Sequence, residues 1–228
     1  MKLTAMTLAA AVTSVSSATF VEYYAVKTQS THGDGRLVDS YKVYARFNGA
    51  TDTILNAFNL DGLNGATMNA FYHQDNSDYA SIMTSAFGAW APSLTGAVGN
   101  RPFDSYVTVG GIPNAVNGVS ADPSWGNPLS WFRPDIPAGQ NCGWFAPGGS
   151  IMGRVGQAGN TADSVVLGQF SIARDSTGGT YSISIGYNSG IPGTPVQFAD
   201  GTFTIGVVPA PGAIALLGLA GLAGRRRR

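Results

Sequence analysis

The 228-residue chain is short of the residues on which most chemistry depends. It has one cysteine, Cys142, so no internal disulfide can form. It has two histidines, His32 and His73, and a single glutamate, Glu22. A glycosidase built on this chain would have to use two aspartates as its carboxylate pair. Charged residues make up only 11% of the sequence. No HExxH, GxSxG, zinc-spaced cysteine set or phosphate loop occurs, and GGIPNAVNG at 110–118 follows no βαβ pattern. Helix-forming Glu, Lys and Gln are scarce. Gly, Ser, Thr, Asn and aromatic residues dominate instead, a composition that suits strands and turns.

The two ends of the chain differ from its middle. Lys2 precedes an apolar stretch, Leu3 to Val12, and then SVSSA at 14–18. Small residues at Ser16 and Ala18 suit signal peptidase, with cleavage between Ala18 and Thr19. At the other end, the run from Gly212 to Gly224 is apolar or glycine throughout and closes on Arg225, Arg226, Arg227 and Arg228. As a helix it would be about 20 Å long, against a bilayer core of about 30 Å. Pro209 and Pro211 prevent a longer helix at its entry. Gly218, Gly221 and Gly224 leave one flank bare for close helix approach. The arginines would stay on the cytoplasmic side. The segment is short for a permanent span, yet too apolar for a surface helix.

This tail resembles the PEP-CTERM sorting signal of bacterial exported proteins, in the VPAPG form familiar from planctomycetes. The matching residues are Val208, Pro209, Ala210, Pro211 and Gly212, the apolar run, and the arginine cluster 225–228. Ala210 departs from the usual motif, which carries glutamate there. The resemblance implies recognition and cleavage by an exosortase-like membrane protease. It covers about 22 residues and implies nothing about what the body does. The implied route is export, transient contact with the inner membrane through the tail, then the cell surface or extracellular space.

The chain thus divides into a signal peptide at 1–18, one domain at 19–206 and a sorting tail at 207–228. Of the 13 basic residues, Lys2 and the four terminal arginines leave with the signals; the remaining eight face 13 acidic residues, a formal charge of −5. That balance argues against nucleic acid and anionic lipid as partners.

The body is expected to be all-β, a single antiparallel β-sandwich or jelly roll, with helices only in the terminal signal and tail. Alternation predicts strands at 41–47, 164–173 and 180–187, with further strands at 53–60, 67–73 and 105–109. RDSTGG at 174–179 reads as the turn of a hairpin spanning 164–187, and Asp200-Gly201 as a two-residue hairpin turn. Residues 110–149, with Pro113, Pro123, Pro128, Pro134, Pro137 and Pro147 among tryptophans, read as a long ordered loop. NAFNLD at 56–61 echoes NAFYHQD at 69–75, as two adjacent strands of one sheet would.

Four sets of residues are candidates for a site. Trp90, Trp125, Trp131 and Trp144, each near Gly or Pro, could stack on sugar rings or fill the core. His73 with Asp75 and Asp78 could hold a metal, but the polar run reads as a solvated turn. Asp61, Asp122, Asp163 and Asp200 lie in turn-like sequence of the kind that collects Ca²⁺ in β-sandwich loops. Cys142 in QNCGWF lacks a downstream histidine and reads as a partly buried structural residue. No catalytic residue, resident metal or cofactor is assigned. The expected role is a non-enzymatic surface or extracellular-matrix protein of structural or interaction type, with a polysaccharide matrix as candidate partner. A carbohydrate-binding module using Trp or Tyr stacking is the alternative, and a hydrolase is a third reading.

Overall fold

The computed structural model describes residues 18–63, 71–73, 90, 102–110, 120–121, 136, 141–146, 151–157 and 159–207. The described residues contain no helix and form two antiparallel sheets, a β-sandwich. Nine strands are β1 (Phe20–Thr31), β2 (Leu37–Phe47), β3 (Thr53–Leu63), β4 (Tyr106–Val107), β5 (Ser120–Ala121), β6 (Cys142–Phe145), β7 (Ser164–Ala173), β8 (Gly179–Asn188) and β9 (Gln197–Ile205). One sheet has the order β1-β2-β7-β4 and the other β5-β6-β3-β8-β9. The terminal segments, with their expected helices, lie outside the described residues.

Alternation accounts for the strands. On β8, Tyr181, Ile183, Ile185 and Tyr187 enter the core, while Thr180, Ser182 and Ser184 take the other face. β7 is buried along nine of its ten residues because it is covered on both sides. Its second face is closed by the segment leading into β4: the Gln169 amide donates to Asp104 O at 2.7 Å and Pro102 O at 3.2 Å. Aromatic contacts join the sheets. Phe170 on β7 lies 5.6 Å from Phe203 on β9, and Phe47 on β2 lies 5.2 Å from Tyr187 on β8. Tyr23 on β1 donates its hydroxyl to Ala199 O on β9 at 2.8 Å.

Several connections differ from the sequence expectation. The strands at 164–173 and 180–187 do not form a hairpin. β7 pairs with β2 and β4, β8 pairs with β3 and β9, and RDSTGG carries the chain across the sandwich. Asp39, wholly buried on β2, captures that crossover. Its Oδ2 accepts the backbone N–H of Asp175 at 3.1 Å and lies 2.7 Å from Lys27 Nζ. Asp175 takes a left-handed φ of 58°, which turns the chain there.

Asp200-Gly201 is no turn either. Both sit in mid-strand on β9, opposite Ser184 and Ile183 of β8. The expected loop at 110–149 contains strands β5 and β6, with Ala57 paired to Trp144 and Ala121 to the same residue from the other side. The strand expected at 105–109 is shorter, β4, although Thr108 N and Gly110 N continue bonding to Leu167 O and Val166 O beside it. The echoed segments are not shown as neighbours: β3 lies in the five-stranded sheet, whereas Tyr72, one of the described residues of the second segment, donates its N–H to Ser171 O on β7 of the other sheet. Residues 67–70 of the strand expected at 67–73 lie outside the described residues.

Candidate functional site

The outer face of the five-stranded sheet carries the most distinctive arrangement of exposed side chains. Register places Phe145, Asn56, Gly186 and Phe198 in one row across β6, β3, β8 and β9. Trp144 points into the sandwich, where its indole N–H donates to Thr108 O at 2.7 Å, so its neighbour Phe145 is turned outward and is 44% exposed. Phe198 is 66% exposed because its neighbours Gln197 and Ala199 take the inner side of an edge strand. Phe58, in the next row, meets Phe198 edge to face at 6.1 Å. Gly186 lies between these rings, and the Asn56 carboxamide covers it, accepting Gly186 N–H at 3.0 Å. A Cβ at Gly186 would collide with that carboxamide oxygen.

The polar half of the face is a connected set. Ser184 Oγ donates to Asp200 Oδ1 at 2.6 Å and accepts from Asn59 Nδ2 at 3.2 Å. Asn59 reaches it from a left-handed φ of 56°, where the pairing of β3 with β8 shifts register. Thr180 and Thr204 share a hydrogen bond at 3.1 Å farther along. The face thus offers three phenyl rings beside fixed amide, hydroxyl and carboxylate groups. A ligand with an apolar face and hydroxyl-bearing edges matches both halves.

The residues singled out by sequence are distributed elsewhere. Trp90 is 0% and Trp144 1% exposed, so neither offers a face for stacking: both are core residues. Trp90 packs edge-on against Phe71 at 5.0 Å. Trp125 and Trp131 lie outside the described residues, as do Val208, Pro209, Ala210, Pro211, Gly212 and Arg225 to Arg228. Cys142 is buried and forms no disulfide.

His73 is not in a solvated turn. It is fully buried, edge-on to Trp90 at 5.0 Å, with its Nδ1 3.6 Å from Asp104 Oδ1. Asp75 and Asp78 lie outside the described residues. The sequence hides this pairing because Asp104 is 31 positions away and is brought beside His73 by the bond from Ser105 N to Tyr72 O at 2.9 Å.

Of the acidic residues considered for Ca²⁺, the three that lie among the described residues do not converge. Asp61 accepts the N–H of Gly62 at 2.8 Å, and Asp200 lies two strands away with β8 between them. Asp163 is held below the usual carboxylate range by the Ser164 and Thr161 hydroxyls, with Arg46 adding charge. Asp122 lies outside the described residues. Among the described residues no group of three His, Cys, Asp or Glu side chains could hold a metal ion, and no helix is long and apolar enough to cross a membrane.

At the proposed cleavage position, Ala18 is packed into the core at 2% exposure, and Thr19 O accepts Asn48 N–H at 3.2 Å. At the other end, Val207 N donates to Ser176 O at 3.0 Å and Val207 O accepts Gly178 N–H at 2.8 Å. The body therefore holds the chain through Val207, one residue beyond the expected boundary.

Comparison of the chain with protein-family models, curated proteins and solved structures finds no match.

Proposed function

We propose that the chain is an exported, non-enzymatic β-sandwich that reaches the cell surface or extracellular matrix and acts there by binding. Export is supported by the leader-like start and by the resemblance of residues 208–228 to a PEP-CTERM signal. Signal peptidase and an exosortase-like membrane protease are its processing partners in this reading. The observation that carries the binding role is the row Phe145, Asn56, Gly186 and Phe198, whose two phenylalanines are exposed. Its rings and its hydrogen-bonding groups are both held on strands, so the surface is rigid before any ligand arrives.

The same observation favours a second, narrower reading, carbohydrate binding. Phenyl faces take the axial C–H surface of a sugar ring, while Asn56, Asn59 and Asp200 meet its hydroxyls. Phenylalanine replaces the Trp and Tyr stacking anticipated from sequence.

The test is twofold. Fractionation of cells producing the full chain should recover the body at the surface or in the matrix fraction. Purified protein should be retained by an insoluble matrix polysaccharide, and Phe198→Ala and Phe145→Ala should each abolish most of that retention. Recovery from the cytoplasm alone would overturn the export reading. Retention unchanged in both variants would overturn the assignment of the face.

A further inference from the structure

Asp52 sits in the turn that carries the chain from β2 to β3 and is 1% exposed. Its carboxylate accepts two backbone N–H groups, those of Gly49 at 3.1 Å and of Thr19. Gly49 is required there, since a Cβ would collide with the carboxylate. No Lys, Arg or His among the described residues forms an ion pair with Asp52. The nearest cation in sequence, Arg46, pairs with Glu22 at 2.8 Å and lies 3.6 Å from Asp163, and Arg154, whose backbone bridges to Thr53, directs its guanidinium to Gly190 O at 2.7 Å. A buried carboxylate met only by neutral donors is a costly arrangement. Burial accordingly pushes the Asp52 carboxyl above its usual range, against the opposing pull of the two N–H groups.

One of those two donors changes character during export. If the chain is cut between Ala18 and Thr19, the nitrogen that touches Asp52 stops being an amide. It becomes the α-ammonium of a new N-terminus, with its position set by the Thr19 carbonyl bond to Asn48 N–H. We propose that removal of residues 1–18 creates an ion pair between the Thr19 α-ammonium and the buried Asp52 carboxylate, which locks the first strand onto the β2–β3 turn. The proposal rests on the export reading above and on cleavage at this bond.

The geometry also orders the events. Ala18 is packed in the core, so the folded body shields the bond to be cut. Cleavage must precede folding, as it does when the protease acts on a chain still emerging from the membrane. A body that folds with its leader attached buries Asp52 against an amide. A processed body sets it against a cation. Leader removal would thus be registered inside the fold as a charge, and cutting one residue earlier would leave the ammonium on Ala18, away from the carboxylate.

The experiment uses full-length chain exported by its own leader. Mass spectrometry of the mature protein should find Thr19 at the N-terminus. NMR titration of the α-amine should give a pKa at least one unit above the usual value of about 7.7–8.0. As a second measurement, Asp52→Asn should lower the denaturation midpoint of the Thr19 protein far more than that of a chain retaining Ser17 and Ala18, whose residue 19 keeps its amide. An α-amine that titrates normally in a chain beginning at Thr19, with Asp52→Asn acting equally on both chains, overturns the ion pair while leaving export intact. A mature chain that begins elsewhere overturns the cleavage position, and the proposal with it.

Discussion

Tyr23 and Gly201 fit together across the open edge of the sandwich. The Tyr23 ring on β1 occupies the space beside Gly201 on β9 so closely that a Cβ there would stand 2.6 Å from Tyr23 Cδ2. The same tyrosine anchors itself on Ala199 O, two residues earlier on β9. Gly201→Ala should therefore destabilise the body by about 1–3 kcal/mol, the usual cost of overpacking. Denaturant titration checks this. Combined with Tyr23→Ala, the second substitution should cost much less than the sum, because the ring it strikes is gone.

Asp39 should be the acid-sensitive point of the fold. Burial alone would raise its carboxyl, but the Lys27 ammonium, Asp175 N–H and Gln29 amide together outweigh this and hold it below the usual carboxylate range. A depressed folded pKa gives stability that is present above the unfolded value of about 3.9 and is lost as pH falls through the folded value. Asp39→Asn should remove roughly 3 kcal/mol near neutrality, since it leaves Lys27 and the crossover without their anion. It should also flatten the loss of stability below about pH 4. Unfolding curves taken across that range for both proteins decide the matter.

Exposed and buried aromatics should separate cleanly. Phe198→Ala, at an exposed position on an edge strand, should change stability by no more than about 0.5 kcal/mol while removing ligand retention. Trp144→Ala should cost about 3–5 kcal/mol, because it empties the core and orphans Thr108 O. Chemical denaturation run beside the binding assay distinguishes the two.

The tail should be dispensable to the body. A chain ending at Val207 should keep the full denaturation midpoint, whereas ending at Ile205 should lower it, because the bonds of Val207 to Ser176 and Gly178 are lost. In the exporting cell, replacing Pro209 and Pro211 should block processing, and neutral residues at Arg225 to Arg228 should weaken membrane retention. Mass spectrometry of the mature protein is expected to find a C-terminus between about 207 and 213. A mature protein that still carries Arg228 and partitions with membranes would make the tail an anchor.

The all-β character was legible from the sequence because alternation is a local property. Tyr41 to Phe47, Ser164 to Ala173 and Thr180 to Tyr187 each announce a strand within a few residues, and β2, β7 and β8 follow them closely. Local sequence is silent on which sheet a strand joins. β7 and β8 carry the same alternation whether they pair or face each other, and the choice falls to Asp39 on β2, which grips Asp175 from a distance of 136 positions. Asp200-Gly201 has the chemistry of a turn, yet Gly201 is needed to admit Tyr23 from the far end of the chain. Proximity to Gly and Pro says nothing of whether Trp90 and Trp144 are covered. The outward phenylalanines emerge only when register sets Phe145, Phe58 and Phe198 around Gly186. Strand identity is written in the period of neighbouring residues; partnership, burial and the proposed binding face depend on contacts between residues far apart, which only the closed sandwich brings together.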